Sequence, residues 1–239
     1  MCNRYGYKHP YQRLLQEFSD LGPVRWNGAE PNAPRLEIRP TDKAPIIREG
    51  GDGALELAEV RWGFIPANWT GTVAEWQAHQ RPKPGERRSA NPMTNARAET
   101  IGKTSAWREA YATRRCLVPA THYFEWSLVS DEAKGRKTMF RFTVPAQEVF
   151  AFPGVWSRAR AGADGVVDSF ALLTSAPGPD QAPYHDRQPV ILERSQWADW
   201  LNTTVDLAPS FKGSPAGTIA VEYVSGPKPP GEAVQPDLF

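Results

Sequence analysis

The sequence predicts an α+β fold, a single domain over residues 1–226 built around a mixed, barrel-like β-sheet with a few peripheral helices, followed by a Pro-rich C-terminal tail at 227–239. Three observations predict it. Strand-like segments outnumber helical ones, they are separated mostly by turns, and no low-complexity linker or internal repeat divides the chain. With 239 residues, 40% of them hydrophobic, the chain is long enough to enclose a sizeable core.

Each element has its own signal. Tyr11, Leu14, Leu15, Phe18 and Leu21 recur at helical spacing after Pro10, which suits a first helical position. Residues 58–62 form a short strand candidate. Residues 66–94 are polar and Pro-rich, so a long ordered loop rather than regular structure is expected there. A second helix starts from Ser105 as N-cap and runs through Trp107, Ala110 and Tyr111. The apolar run 115–120 enters the aromatic stretch 123–126. Stretches 139–144, 149–156, 170–174 and 190–192 are rich in β-formers, and 219–224 is a shorter candidate. A third helix begins near Ser195 and carries Trp197, Trp200 and Leu201.

Composition removes several function classes. Lys and Arg number 28 against 27 Asp and Glu, so any nucleic-acid contact must come from a local Arg cluster rather than from a globally basic surface. Two cysteines, Cys2 and Cys116, do not make a disulfide framework. The polar N-terminus has no signal-peptide apolar region, and no run approaches the roughly 18 apolar residues of a membrane span. A soluble, cytoplasmic, reduced chain is expected, with no membrane partner. His9, His79, His122 and His185 lack zinc-ligand spacing, and no phosphate-binding or dinucleotide motif occurs, so neither metal nor cofactor is expected.

The sharpest chemical feature is Cys2. Removal of Met1 would leave one residue with a free amine and a free thiol. The amine condenses with an aldehyde to a Schiff base, and the thiol closes a five-membered thiazolidine on the same carbon. Taken alone, a cysteine at position 2 is better explained by chance, so the other clusters matter. Asn95 offers a neutral donor–acceptor pair and Arg97 a planar fork suited to phosphate, although a turn with a surface ion pair explains this segment too. Glu125 lies among Tyr123, Phe124 and Trp126; burial among rings would raise its pKa into the range of a general acid–base, the alternative being a carboxylate paired with an Arg. His185 suits proton shuttling and Arg187 a phosphate contact, while a His before a buried strand is also a common structural feature. Cys116, inside an apolar strand, reads as core. In Trp62-Gly63-Phe64-Ile65-Pro66, an exposed ring beside a turn would stack on an unpaired base.

These pieces, in this order along nearly the whole chain, resemble the SOS-response-associated peptidase (SRAP) family. The matching segments are the Met-Cys-x-Arg-Tyr start, Pro40-Thr41, residues 62–66, 95–100, 115–119, 124–126, 154–156, Leu173-Thr174 and His185-x-Arg187-x-Pro189. The resemblance implies a monomer that senses abasic sites in single-stranded DNA, joins the nucleoid when DNA is damaged, and crosslinks to the lesion through Cys2 after loss of Met1. It implies Cys2 as nucleophile, Asn95 orienting the Cys2 amine or the opened sugar, Glu125 as acid–base, and His185 assisting ring opening and reversal. Arg4, Arg97 and Arg187 would grip phosphates, and Pro40, Trp62, Gly63, Phe64, Pro66 and Trp126 would complete the DNA contacts. The family name implies a thiol autopeptidase activity as well. The sequence departs from the family at Asn3, Glu37, Arg39, His122 and Gln188. Two other readings stand beside the crosslinker: a thiol peptidase attacking a peptide carbonyl with Cys2, and a non-covalent single-strand-binding module in which Cys2 is dispensable.

Overall fold

The computed structural model describes residues 2–26, 33–82, 85, 92–127 and 136–227. Thirteen strands and four α-helices are named within them. In chain order they are β1 (Tyr5–Tyr7), α1 (Tyr11–Glu17), β2 (Val24–Trp26), β3 (Arg35–Ile38), β4 (Lys43–Glu49), β5 (Leu55–Trp62), α2 (Val73–His79), β6 (Asn95–Arg97), α3 (Ser105–Thr113), β7 (Arg115–Ala120), β8 (His122–Ser127), β9 (Thr138–Thr143), β10 (Phe150–Arg160), β11 (Val166–Ser175), β12 (Gln188–Pro189), α4 (Trp197–Leu201) and β13 (Ala220–Ser225). The expected tail falls outside the described residues from 228 onward.

The strands form two sheets. The smaller runs β13-β9-β8-β1-β3. The larger contains a ring in which β5, β4, β7 and β10 pair antiparallel in succession and β10 pairs antiparallel with β11. β11 then pairs in parallel with β5, Ser169 opposite Arg61 and Phe170 opposite Trp62, which closes a five-stranded mixed barrel. Closure removes the two edges that an open sheet would present.

Alternate residues of the barrel strands face different cores, as the two-residue period of a strand requires. Cys116, Val118, Phe150, Phe152, Phe170, Leu172, Val60 and Trp62 pack with Tyr5, Tyr123, Phe140 and Phe142 of the small sheet. Their neighbours Leu117, Ala151, Val155, Ala171, Leu173 and Leu57 pack with Leu14 and Phe18 of the first helical region and with Trp107, Tyr111, Trp197 and Trp200 of α3 and α4. Both faces of the barrel wall are therefore apolar, which is why β7 reads as an unbroken hydrophobic run.

Several expected boundaries move. Pro10 precedes α1 as its N-cap, and Thr104 rather than Ser105 caps α3. Segment 66–94 is not wholly irregular: α2 occupies Val73–His79, started by a capping box in which the Thr72 hydroxyl accepts from the Glu75 amide and the Glu75 carboxylate accepts from the Thr72 amide. The stretch 190–192 is not a strand. The paired residues are Gln188 and Pro189, and Leu192 makes only an isolated bridge to Ala151.

Arg115 ties the helical layer to the barrel. Nearly buried, it donates from Nε to the Tyr111 carbonyl at 2.8 Å and from Nη1 to the Val205 and Asn202 carbonyls at 2.6 and 3.2 Å. Its guanidinium carbon lies 4.3 Å from the Tyr111 ring centroid. Removing the side chain would strand these carbonyls without a donor. Arg115→Leu is expected to lower unfolding free energy by roughly 2–4 kcal/mol, read as a lower denaturant midpoint at unchanged slope. An unchanged midpoint would mean that water replaces the guanidinium without loss.

Candidate active site at the N-terminal cysteine

The chain before β1 carries Cys2 into the core shared by both sheets, where the residue is fully buried. Its thiol donates to the Arg4 carbonyl at 3.5 Å. The same carbonyl accepts from the Phe124 amide at 2.9 Å, so β8 fixes the backbone turn that holds the thiol. Burial pushes the Cys2 thiol well above the ordinary thiol range, with the Glu125 carboxylate adding to the effect. At neutral pH the sulfur is protonated.

Asn95 reaches Cys2 from the barrel side. Its Nδ2 donates to the Cys2 carbonyl at 2.9 Å and to Thr94 Oγ1 at 2.9 Å, while Oδ1 is buried without a hydrogen-bond partner among the described residues. Two barrel contacts fix this segment. The Leu172 amide and Trp62 Nε1 both donate to the Thr94 carbonyl, at 2.9 and 3.0 Å, and β6 pairs in parallel with β11. Thr94 carried no sequence signal, because its part is played mainly by a main-chain oxygen.

Glu125 is 2% exposed on β8. Burial raises its carboxyl to about 7, against the opposing pull of the chain's N-terminal positive charge and of Lys137. His185 is held below the ordinary histidine range, first by burial and then by the same N-terminal charge. Its Nδ1 accepts from the Arg187 amide at 2.9 Å. Glu125 thus acts on the charge of Cys2, Asn95 holds the Cys2 carbonyl, and His185 feels the same Lys137 and Asp186 charges as Glu125, which draws the four residues together from β6, β8 and the segment before β12.

The expected DNA contacts fare differently. Trp62 is fully buried and Phe64 is 2% exposed, tilted by 58° against Trp107 with ring centroids 4.7 Å apart. Neither ring is available to an unpaired base; packing against the barrel core wins over the exposed position that the sequence suggested. Gly63 between them has φ 134°, where a Cβ would meet the Pro92 carbonyl at 3.0 Å. Pro66 is half-buried. Pro40 and Thr41 occupy the centre of a turn closed by the Asp42 amide on the Arg39 carbonyl, with Thr41 at φ 81°. The Arg187 fork is engaged by Glu99, Nη1 to Oε1 at 2.7 Å and Nη2 to Oε2 at 2.9 Å, and by the Thr174 carbonyl at 2.7 Å. Arg97 is exposed.

Arg4 and Trp126 lie apart from the thiol. Strand alternation turns Trp126 to the face of β8 opposite Glu125. There the Arg4 guanidinium carbon lies 4.9 Å from the Trp126 ring centroid, and Nη1 donates to Glu37 Oε1 at 3.2 Å.

Two departures have structural explanations. His122 bonds Leu36 O through Nε2 and Thr121 Oγ1 through Nδ1, both at 3.0 Å, and Gly6 opposite leaves the room, since a Cβ there would lie 2.5 Å from His122 Nε2. Gln188, 1% exposed, bridges the Gly178 amide and Ser214 Oγ at 2.8 Å each.

The family model described as SOS response associated peptidase (SRAP) matches residues 1–225. The chain belongs to this family. Among curated SRAP-like relatives, Abasic site processing protein YoaM of Bacillus subtilis is 26% identical over 203 residues, 84% of this chain and 79% of that protein. Abasic site processing protein YedK of Escherichia coli is 24% identical over 208 residues, covering 86% and 81%. Solved structures share the SRAP architecture seen here. A protein of Bacteroides thetaiotaomicron superposes with TM-score 0.76 at 20% identity, covering 94% of this chain and 92% of that one. One from Bordetella bronchiseptica gives 0.70 at 24%, covering 94% and 100%. No helix among the described residues is long and apolar enough to cross a membrane, and none of their His, Cys, Asp and Glu groups could hold a metal ion.

The burial of Trp62 makes a checkable statement. Trp62→Phe, which deletes the bond to Thr94 O and leaves a cavity where the larger indole was, is expected to cost about 2–3 kcal/mol of stability and to leave single-strand affinity within twofold. A loss of affinity that exceeds the loss of stability, measured by strand titration beside thermal melts, would return Trp62 to the DNA interface.

Proposed function

We propose that this chain processes abasic sites in single-stranded DNA, capturing the lesion aldehyde on Cys2 as a thiazolidine once Met1 is removed. The observation that carries the reading is a Cys2 thiol sunk in the core, its carbonyl held by Asn95, with the buried Glu125 carboxyl near enough to act on its charge; burial pushes both groups toward their neutral forms. A thiol peptidase works through the thiolate, which this setting disfavours. A thiazolidine begins instead with the amine, and the relatives named as abasic site processing proteins support the same direction.

The steps follow from the groups present. The α-amine of processed Cys2 adds to the aldehyde carbon, and a proton passes from nitrogen to oxygen to give the carbinolamine. Protonated Glu125 gives its proton to the departing hydroxyl, which leaves as water, and the nitrogen becomes an iminium. The thiol then adds to the iminium carbon while its proton returns to Glu125. One water is released and Glu125 ends as it began. Asn95, already bound to the Cys2 carbonyl, fixes the residue, and its unfilled Oδ1 serves as acceptor for the new amine or for a sugar hydroxyl. His185, held below the ordinary histidine range, accepts the proton of the C1 hydroxyl as the bond from C1 to the ring oxygen breaks, and delivers it to that oxygen, which becomes the C4 hydroxyl.

Two experiments test this. Protein with Met1 removal verified by mass spectrometry is mixed with an oligonucleotide carrying one abasic site and run on a denaturing gel. A shifted band that requires both the lesion and Cys2 is expected, and Cys2→Ser should abolish it. A processed protein that gives no band would overturn the proposal. The pH dependence carries a sign. Glu125 acts in its protonated form, present below about 7, and the amine acts unprotonated, above roughly 7.7–8.0. The single-turnover rate should peak between these values and fall on both sides. Glu125→Gln should lower it about a hundredfold and remove the alkaline limb; a retained limb would assign that ionisation elsewhere.

A further inference from the structure

Glu37 stands between two arginines on the outer face of the small sheet. It accepts from Arg4 Nη1 at 3.2 Å through one oxygen and from Arg39 Nη2 at 2.6 Å and Nε at 3.2 Å through the other. Its carboxyl is held below the ordinary range, first by the Arg39 hydrogen bond, so it remains charged at neutral pH. Beneath this trio lie the rings of Phe124 and Trp126, at 6.0 and 4.9 Å from the Arg4 guanidinium carbon. Phe124 is buried but Trp126 is still partly open, and a cation over an open indole makes a surface suited to a single strand, phosphate on guanidinium and base on indole. Here one carboxylate already takes two nitrogens of the Arg39 fork and one of Arg4.

We propose that Glu37 is a specificity-determining residue: an internal competitor that masks Arg4 and Arg39 and so weakens reversible binding to undamaged single strands. The inference rests on the reading that the chain acts on single-stranded DNA. The physics is competition between anions. A strand phosphate that takes Arg4 Nη1 or the Arg39 fork has to displace the carboxylate, and an exposed ion pair of this kind resists displacement weakly, so the mask lowers affinity without abolishing it. Undamaged DNA offers nothing to offset the cost, whereas an abasic site offers a covalent bond. Covalent capture accumulates even from a weaker encounter, whereas occupancy of undamaged strand falls in step with affinity, so at the end point the same residue widens the ratio of damaged to undamaged strand held.

The test measures reversible affinity for an undamaged oligonucleotide, by fluorescence anisotropy across a salt series, for wild type, Glu37→Gln, Arg4→Ala, the double variant, and Asp52→Asn. Asp52 masks Arg25 in the turn between β4 and β5, so its variant makes the same net-charge change at a different exposed pair. Glu37→Gln should bind about three- to tenfold tighter at low salt, with a slope steeper by roughly 0.7 for each phosphate gained. Undamaged competitor should also suppress its crosslinking at correspondingly lower concentration. In the Arg4→Ala background most of the gain should vanish, and Asp52→Asn should gain little. Affinity that is unchanged or weaker in Glu37→Gln, a gain that survives loss of Arg4, or an equal gain in Asp52→Asn would each overturn the mask. If wild type still crosslinks through Cys2 in those cases, only the mask falls. If wild type shows no lesion-dependent crosslink, the function reading falls with it.

Discussion

The parallel contact between β5 and β11 is the constraint on which the rest depends. Parallel pairing needs a long crossover, and this chain supplies it by winding β6, α3, β7, β8, β9 and β10 between the two strands. Where the strands meet, Gly63 N donates to Phe170 O at 2.9 Å, and Ile65 N to Ser169 Oγ at 2.8 Å. The same seam places Trp62 Nε1 and Leu172 N on one carbonyl, that of Thr94. An opening of the barrel there would release the Thr94–Asn95 backbone and, with it, the bond to Cys2.

The site is consequently a joint between two sheets, each of which supplies half of it. The small sheet fixes the Cys2 turn and Glu125; the barrel fixes Asn95. The two-residue period of β8 then divides labour between its faces. Glu125 points into the shared core, where burial lifts its pKa, and Trp126 points outward beneath Arg4. Adjacent residues of one strand thus face a buried core and an open surface, so the proton transfer and the strand contact proposed above would not interfere.

What the sequence revealed follows the range of the forces involved. Strands buried on both faces, such as β7, β10 and β11, announce themselves by composition alone, and so does the carboxylate among rings at Glu125. The short strands β1, β2, β3 and β6 were missed because three or four residues give no usable period; their pairing is enforced by partners far along the chain. α2 was legible after all in Thr72-Val73-Ala74-Glu75, a capping signature submerged in a Pro-rich stretch. Trp62 and Phe64 were misplaced for a different reason: a ring beside Gly and Pro looks exposed until a barrel closes over it. The Arg187–Glu99 and Arg4–Glu37 pairs span 88 and 33 residues, beyond anything local pattern can disclose.

Burying Cys2 inside a core has a steric corollary. A nucleophile on a loop can meet its target anywhere; one sunk between two sheets obliges the target to come to it. If the target is a nucleotide, as proposed, the atom that must arrive is the anomeric carbon, and in intact DNA that carbon carries a base. The bulk that identifies a normal nucleotide is attached at the one atom that has to be admitted. A sugar that has lost its base differs from its neighbours both in being reactive and in being thin enough to enter.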